Sequence, residues 1–422
     1  MDSIKRIKKE DSFVTLKCDI VLSGRNKMKK IFSFAATLFF VSIFQISLQA
    51  WIAPKRLTWN PETSWEPAIA ADSLGTIHVV WFNNLTAEPT EIFYKRSSDR
   101  GANWSALNRF TWNSGSSSSP SIAVDSGNGV HVVWEDETPG NSEIFYKRSS
   151  DSGNTWSALT RLTWNTEYSI SAAVATGSGN GVHVVWCQFI SGKSFEIFYK
   201  GSSDGGANWL GITRLTWNTN NGGDSWGPSV TVDSLNRIHV VWYGRTTGTD
   251  DFEIFHKQST DGGSSWSALN RLTWNSMDSI GPSITADSNN IVHVTWEDDS
   301  PGNREVFYKK STDGGSTWSG LSRLSWMSGW STFSCIASYQ NVDIYVVWSD
   351  FSFGNSEICY KRSMDSGNTW SALMRLTWNA GSSDNPVIAA DSINVIHLVW
   401  MDNIPGNYEI FYKNSTGSIL GF

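Results

Sequence analysis

Carboxylates recur at one point of a repeated pattern, and they are the first residues of this chain that could do chemistry. An Asp follows a repeated Trp by two residues at four places, and two of these carry a second acid, as Glu135/Asp136 and Asp298/Asp299. Carboxylates accept hydrogen bonds from sugar hydroxyls, and two carboxyl groups about 5–10 Å apart could catalyse glycoside cleavage. The alternative is a turn-capping role before a Pro-Gly-Asn turn, which we favour because near-copies on two repeats indicate a scaffold. The four positions are Asp136, Asp298, Asp350 and Asp402.

Tryptophans that break the repeat form the second group of candidates. Of the 24 Trp in the chain, 20 recur at fixed places of the repeat, and we assign these to the architecture. Trp65, Trp226 and Trp330 stand apart, in segments that we expect to be loops. An exposed indole there could stack on a sugar ring, and packing between loops is the alternative. These three residues are therefore candidate ligand contacts.

Other side chains give weaker signals. The longest and most divergent repeat, around residues 218–251, adds Tyr243 and Arg245 as ligand-binding candidates. Six of the 7 His occupy the same repeated strand, one in each of six repeats, which favours packing over metal binding. Three of the 4 Cys lie outside the amino-terminal segment, at spacings that fit neither a disulfide framework nor a zinc site. We therefore predict no metal, no cofactor and no catalytic residue.

The elements that must position these residues belong to one unit repeated seven times. Arg-Leu-Thr-Trp-Asn or a near copy begins at seven places separated by 52–57 residues. An Ile/Val-His-Val-Val-Trp string and a Glu-Ile-Phe-Tyr-Lys string lie between successive copies, in that order. A period of this length indicates an array, a propeller or a solenoid. The copies begin at Arg56, Arg109, Arg161, Arg214, Arg271, Arg323 and Arg375.

Four short runs rich in Val, Ile, Phe, Tyr, Trp and Thr make up each repeat, with Gly/Asn/Ser/Asp clusters between them. Four strands per repeat are typical of the blade of a β-propeller. The last repeat supplies only three strands, and the unpaired strand at residues 55–60 is the missing fourth. The sequence therefore predicts an all-β, seven-bladed propeller of four-stranded antiparallel blades, spanning residues 51–422 and closed by its amino-terminal strand. The expected blades are about 61–113, 114–165, 166–218, 219–275, 276–327, 328–379, and 380–417 with 55–60.

A Ser-x-Asp-x-Gly-x-x-Trp box lies between the third and fourth strand of six repeats, for example at residues 149–156 and 311–318. It resembles the Asp-box, or bacterial neuraminidase repeat, of the sialidase superfamily, and the resemblance covers essentially the whole of residues 51–422. We expect a structural box, in which the Asp accepts hydrogen bonds within the turn, Gly supplies a positive φ angle and Trp packs over the hairpin. The resemblance also places this turn opposite the family's active site. The six aspartates are Asp99, Asp151, Asp204, Asp261, Asp313 and Asp365.

The resemblance implies what a catalytic member would need: three arginines, a Tyr–Glu nucleophile pair, an Asp acid, and a Phe/Tyr-Arg-Ile-Pro motif near the start. The chain instead begins its propeller with Ala53-Pro-Lys-Arg56-Leu, an ordinary repeat strand. Only Arg245 and Arg304 are expected in loops between second and third strands. Sialidases of the superfamily also typically have six blades. These departures favour a protein without sialidase activity.

The amino-terminal segment predicts export. Lys29 and Lys30 precede an apolar run and a small residue, Ala50, so residues 28–50 resemble a cleaved secretory signal, and an uncleaved membrane anchor is the alternative. Residues 1–27 look like a non-native upstream extension. Removal of residues 1–50 would change the net charge from −7 to about −12, which argues against nucleic acid as a partner.

We therefore predict a secreted, periplasmic or cell-surface propeller that binds a glycan or a cell-surface protein without catalysis. One alternative is an exo-sialidase or another glycoside hydrolase or lyase that acts at the loop face. A second alternative is a structural or adhesive module of a larger surface assembly.

Overall fold

Seven four-stranded antiparallel sheets form a closed β-propeller in the computed structural model, which describes residues 50–85, 88–190, 194–217, 223–245, 251–339 and 342–416. The proposed signal and upstream extension lie outside these residues. Six blades use consecutive strands, and the seventh has the order β1-β28-β27-β26. The predicted fold class and closure are confirmed.

Strand bounds repeat closely from blade to blade. In chain order they are β1 (Lys55–Arg56) of blade 7; β2 (Ser64–Ala71), β3 (Ile77–Leu85), β4 (Glu88–Ser97) and β5 (Asn108–Arg109) of blade 1; β6 (Ser117–Val124), β7 (Val130–Asp136), β8 (Glu143–Ser149) and β9 (Thr160–Arg161) of blade 2; β10 (Ser169–Thr176), β11 (Val182–Phe189), β12 (Phe195–Ser202) and β13 (Thr213–Arg214) of blade 3; β14 (Ser225–Val232), β15 (Ile238–Gly244), β16 (Glu253–Ser259) and β17 (Asn270–Arg271) of blade 4; β18 (Ser279–Ala286), β19 (Val292–Asp298), β20 (Glu305–Ser311) and β21 (Ser322–Arg323) of blade 5; β22 (Ser331–Tyr339), β23 (Asp343–Asp350), β24 (Glu357–Ser363) and β25 (Met374–Arg375) of blade 6; and β26 (Ser383–Ala390), β27 (Ile396–Asp402) and β28 (Glu409–Asn414) of blade 7. A single 3₁₀ turn, Ser178–Asn180, joins β10 to β11.

The apolar core lies between blades. Second strands are buried along nearly their whole length because neighbouring blades cover both faces of each sheet. The core between blades 3 and 4, for example, joins Val185 and Ile197 to Val230 and Trp242. The Trp that precedes the end of each second strand is at most 1% exposed in all seven blades.

A buried ion pair fastens the short fourth strand of every blade. In blade 2 the Arg161 guanidinium donates to the Glu143 carboxylate at 2.9 Å, and Glu143 is fully buried. The Thr163 hydroxyl and the Asn165 backbone N–H donate to the same carboxylate. Seven arginines are thereby committed to strand pairing, and removal of one would leave a buried charge unpaired. The pairs are Arg56–Glu409, Arg109–Glu91, Arg161–Glu143, Arg214–Glu196, Arg271–Glu253, Arg323–Glu305 and Arg375–Glu357.

The Asp-box turn is held by its own carboxylate. In blade 2 the Thr155 hydroxyl and backbone N–H donate to Asp151 at 2.7 and 2.8 Å, and the Ser149 hydroxyl donates at 2.7 Å. These donors lower the pKa of Asp151 to about 2. Asp99, Asp204, Asp261 and Asp313 have the same pKa of about 2 for the same reason.

The box Trp makes a contact between blades that the sequence did not predict. It packs edge-on against a Tyr, or in one case His256, of the preceding blade, as Trp209 does against Tyr146 with ring centroids 5.0 Å apart. A His of the second strand fixes that Tyr, since His131 Nδ1 lies 2.7 Å from the Tyr146 hydroxyl. We call this contact the interblade clamp. Its pairs are Trp104–Tyr412, Trp156–Tyr94, Trp209–Tyr146, Trp266–Tyr199, Trp318–His256 and Trp370–Tyr308.

Trp51 completes the clamp where blade 7 lacks a box. Its ring packs edge-on against Tyr360 of blade 6, with centroids 5.5 Å apart. Trp51 bridges Ser415, and the Ile52 N–H donates to the Asn414 carbonyl at 2.9 Å. The amino-terminal residues therefore supply both the missing strand and the missing tryptophan of the last blade.

Two adjacent glycines in the box of blade 4 allow the clamp to be tested apart from the turn next to it. Gly262 and Gly263 both have positive φ, of +71° and +91°, but a Cβ on Gly262 would meet nothing within 4 Å, whereas one on Gly263 would overlap the Tyr199 ring. We expect Gly262→Ala to lower the free energy of unfolding by about 1 kcal/mol, from backbone strain alone. Gly263→Ala should cost about 3 kcal/mol or more, because Tyr199 must leave its site. Urea unfolding of the two variants measures the difference, and equal losses would show that Tyr199 is not held tightly.

Candidate functional site

Loops from second to third strands and from fourth strands to the next first strand share one face, which we call the loop face. Backbone hydrogen bonds join the two loop sets, as from Glu137 N–H to Ser116 O at 2.9 Å and from Ser169 N–H to Ser142 O at 2.8 Å. The Asp-box turns lie at the opposite ends of the strands. Every candidate ligand residue from the sequence lies on or near the loop face.

The four loop aspartates are buried, at 0–1% exposure, and accept hydrogen bonds from their own blade and, in three cases, from an Asn of the preceding blade. Asp298 accepts hydrogen bonds from Trp296 Nε1, Ser279 Oγ and Asn275 Nδ2 at 3.2, 2.9 and 2.5 Å, and from the Ser300 N–H at 2.9 Å. Such donors anchor the loop as a turn cap does. Asp136, Asp350 and Asp402 accept the corresponding bonds from Trp, Ser and loop N–H donors.

Two of the three unusual tryptophans lie in strands rather than in loops. Trp65 belongs to β2 and packs on Tyr408 with centroids 5.1 Å apart, and Trp226 belongs to β14 and packs on Phe195 at 3.8 Å. Both are half-buried. The expected loop position was wrong because each first strand begins at a repeated Ser, one residue before the Trp.

Tyr243 and Arg245 meet at one aromatic residue of blade 4. Phe252 packs edge-on against Tyr243 at 5.2 Å between centroids, and the Arg245 guanidinium lies 4.1 Å from the same ring. The cation–π contact holds Arg245 close to the surface of its own blade. These residues are adjacent, but the structure does not bring them to Trp330, which lies on blade 6.

Trp330 is 60% exposed, just before β22, and charged residues of blade 5 surround it. The Arg304 guanidinium lies 5.8 Å from the Trp330 ring and donates to both Asp299 oxygens at 2.9 Å. It also lies 3.8 Å from the buried Glu297 carboxylate. A fixed guanidinium beside an open indole combines a polar donor with a flat apolar surface.

Phe333 lies three residues further on and was not singled out from the sequence. It is 51% exposed and has φ +55°, in the bulge of β22. Blades 4 and 5 use Gly227 and Gly281 at this bulge, so a bulky residue in the left-handed region is strained. The signal was present, because a Phe stands where other repeats have Gly, Ser, Asn or Glu. We call Trp330, Phe333 and Arg304 the blade 6 patch.

Two glutamates with raised pKa values lie behind such bulges, of which Glu297 is buried and Glu135 half-buried. The Phe333 N–H donates to Glu297 and the Ser171 N–H to Glu135, each at 2.5 Å. Burial raises the pKa of both carboxyl groups to about 7, against the opposing effect of those hydrogen bonds. Such a carboxyl group could donate a proton near neutral pH. Glu135 and Glu297 belong to blades 2 and 5, so they do not form a pair within one blade.

Most remaining arginines point away from the loop face. Arg96 and Arg148 donate to carbonyl groups of the next blade's Asp-box, and Arg100 pairs with Asp391. Arg237 and Arg362 pair with Asp233 and Asp343. Among the described residues, Arg304 and Arg245 are the arginines at the loop face outside the Glu pairs. No group of three His, Cys, Asp or Glu with metal-binding geometry occurs within the described ranges, and Cys187, Cys335 and Cys359 are free thiols.

Comparison with known proteins identifies the fold alone. No family model and no curated protein matches the sequence. A Dyadobacter fermentans protein of unknown function superposes with a TM-score of 0.54 and 11% identity, over 87% of this chain and 98% of its own. The polysaccharide lyase Uly1 gives 0.58 and 8%, over 83% and 89%. NanB sialidase from Streptococcus pneumoniae gives 0.51 and 12%, over 86% and 71%. The described residues contain no helix of the length and apolarity needed to cross a bilayer.

The raised pKa of Glu297 predicts a pH-dependent stability. A carboxyl group whose pKa is about 7 in the fold and 4.5 outside it binds more protons when folded, so its contribution is complete below about pH 4.5 and is lost as pH rises through 7. Between about pH 5 and 8, the free energy of unfolding should fall by about 1–3 kcal/mol less in Glu297→Gln than in the unaltered protein. Urea unfolding at both pH values checks this, with exposed Glu137→Gln as the control. An unchanged pH dependence would show that Glu297 is already ionised at low pH.

Proposed function

We propose that this protein binds glycans through the blade 6 patch without cleaving them. The observation that carries the proposal is the exposed Trp330 and Phe333 beside an Arg304 guanidinium held by two hydrogen bonds to Asp299. An indole stacks on the apolar face of a pyranose, and the fixed guanidinium donates to hydroxyl or carboxylate oxygens. The strain at Phe333 supports a functional role, since Gly would satisfy the backbone at lower cost.

The commitments of the arginines support binding rather than sialidase chemistry. Seven are paired with buried glutamates, and five more are engaged at the Asp-box face. A carboxylate clamp of three convergent arginines would need some of these to move. The Asp-box resemblance and the fold shared with NanB sialidase and lyase Uly1 fit a carbohydrate ligand. A secreted location and a cell-surface glycan as partner form part of this proposal.

The test is a glycan array probed with labelled protein, followed by titration of the best ligand. We expect Trp330→Ala and Phe333→Gly each to weaken binding about tenfold, or about 1.4 kcal/mol, because each removes one stacking surface. Tyr168→Ala is the matched control, since Tyr168 precedes the first strand of blade 3 as Trp330 does in blade 6 and is 54% exposed. Glycan binding that survives both patch variants would refute the proposed site.

Glycoside hydrolysis or lysis is the second candidate function, and Glu297 favours it. Its pKa of about 7 and its position beside Arg304 suit a general acid near a bound sugar. A fluorogenic sialoside and a set of uronate polysaccharides test for turnover. Turnover abolished by Glu297→Gln or Arg245→Ala would overturn the non-catalytic proposal. If neither binding nor turnover is detected, the remaining candidate is a structural or adhesive module.

A further inference from the structure

A belt of exposed tryptophans surrounds the propeller. The seven Trp of the Arg-Leu-Thr-Trp-Asn strings were assigned to the blade architecture from the sequence, but the structure leaves them 59–75% exposed. Each follows a fourth strand, at the outer edge of its sheet. They are Trp59, Trp112, Trp164, Trp217, Trp274, Trp326 and Trp378.

Five of the seven indoles have a Lys of the next blade beside the ring, across the groove between the two blades. Lys200 of blade 3 lies 5.2 Å from the Trp164 ring of blade 2, and its ammonium donates to the Leu162 carbonyl at 2.9 Å. Lys95, Lys257, Lys309 and Lys361 lie 5.0–5.5 Å from the equivalent rings. Each of these grooves therefore places a Lys beside an aromatic surface; Lys200 is 8% exposed and the other four are half-buried.

The net charge of each groove is positive. The Arg near each indole is neutralised by its buried Glu, as Arg161 is by Glu143. The Lys has no such partner, because none of these five lysines forms an ion pair within the described ranges. Five grooves are thus cationic on a chain whose overall charge is −7. They suit an anion better than a neutral ligand.

Two of the grooves contain cavities large enough for a single sugar unit. One, of about 220 Å³, is lined by Trp217, Leu215 and Lys257, and the other, of about 170 Å³, by Trp274, Trp318 and Lys309. Both fall below the ~300 Å³ at which pockets for drug-sized ligands begin. Repetition around the ring compensates for their size, because one long polymer could engage several grooves at once.

We propose that the outer belt is a multivalent binding surface for an anionic polysaccharide, with one sugar unit against each indole and its carboxylate or sulfate on the neighbouring Lys. This surface is separate from the blade 6 patch and does not depend on it. Binding at each groove is weak, and the polymer gains affinity from the number of grooves that it occupies. An anionic membrane surface is the competing occupant for a ring of exposed indoles, and binding to lipid vesicles distinguishes it from a polysaccharide.

Affinity electrophoresis through gels containing heparin, polygalacturonate or amylose tests the proposal. We expect the protein to be retarded by the two anionic polymers and not by amylose. The triple variant Trp164→Ala/Trp274→Ala/Trp378→Ala should weaken retardation about tenfold or more, and each single variant about two- to threefold. Tyr168→Ala is the matched control, since it removes an exposed aromatic ring from the loop face outside the blade 6 patch. It should leave retardation unchanged.

Charge variants keep the test decisive if the triple Trp variant folds poorly. Lys95→Gln/Lys200→Gln/Lys309→Gln removes three charges and retains a donor for the neighbouring carbonyl, so the fold should persist while retardation and its salt dependence fall. Three outcomes would overturn the proposal: equal retardation by amylose, retardation unaffected by the Trp variants, or binding only to phosphatidylcholine–phosphatidylglycerol vesicles. If retardation is lost in Trp330→Ala and not in the belt variants, polymer binding belongs instead to the blade 6 patch.

Discussion

The interblade clamp is the contact on which the rest of this propeller depends. A blade buries both faces of its sheet against its neighbours, so no blade has a complete core by itself. The clamp fixes how neighbouring blades meet, because the box Gly leaves room for a Tyr and the box Trp closes over it. A second-strand His orients that Tyr. One blade's turn is thus fitted to the adjacent blade's strand.

Closure follows from the same contact. Blade 7 has no box, and Trp51 occupies the corresponding position against Tyr360 while β1 pairs with β28. The last interface therefore resembles the other six in chemistry, although its parts come from both ends of the described chain. A ring closed in this way leaves only short outer sheet edges, at the two-residue fourth strands. Its loop face and outer edge are then free to vary without loss of the core.

Much of the fold could be predicted from the sequence, because the repeat aligns equivalent residues and the short runs of Val, Ile, Phe, Tyr, Trp and Thr between turn clusters mark strands. The buried second-strand Trp and the closing strand were predicted for that reason. The aromatic residue that the box Trp contacts was not predicted, since sequence spacing cannot tell a contact within a hairpin from one between blades. The belt Trp were assigned to the architecture because they recur, but recurrence does not report exposure. Their fourth strand is only two residues long in each blade, and it leaves them at an open edge.

The candidate site was harder to predict. The loop aspartates were candidate ligand contacts with a turn-capping role as the favoured alternative, and the capping role is the one that they have, since each accepts three or more hydrogen bonds inside its blade. Trp330 was identified because it breaks the repeat. Phe333 stands out in the sequence as a Phe where other repeats have Gly, Ser, Asn or Glu, but its exposure is not visible there. All seven blades have a positive φ angle at this bulge, so residue type and exposure, rather than backbone conformation, distinguish the patch from its six counterparts.

A crystal structure of the protein soaked with a uronate-containing oligosaccharide tests the central claim that aromatic residues left outside the clamps bind sugar. The account predicts a pyranose ring against the Trp330 and Phe333 side chains, with a polar group of the sugar on Arg304. Sugar bound instead around Glu135, with Trp330 and Phe333 uncovered, would contradict it.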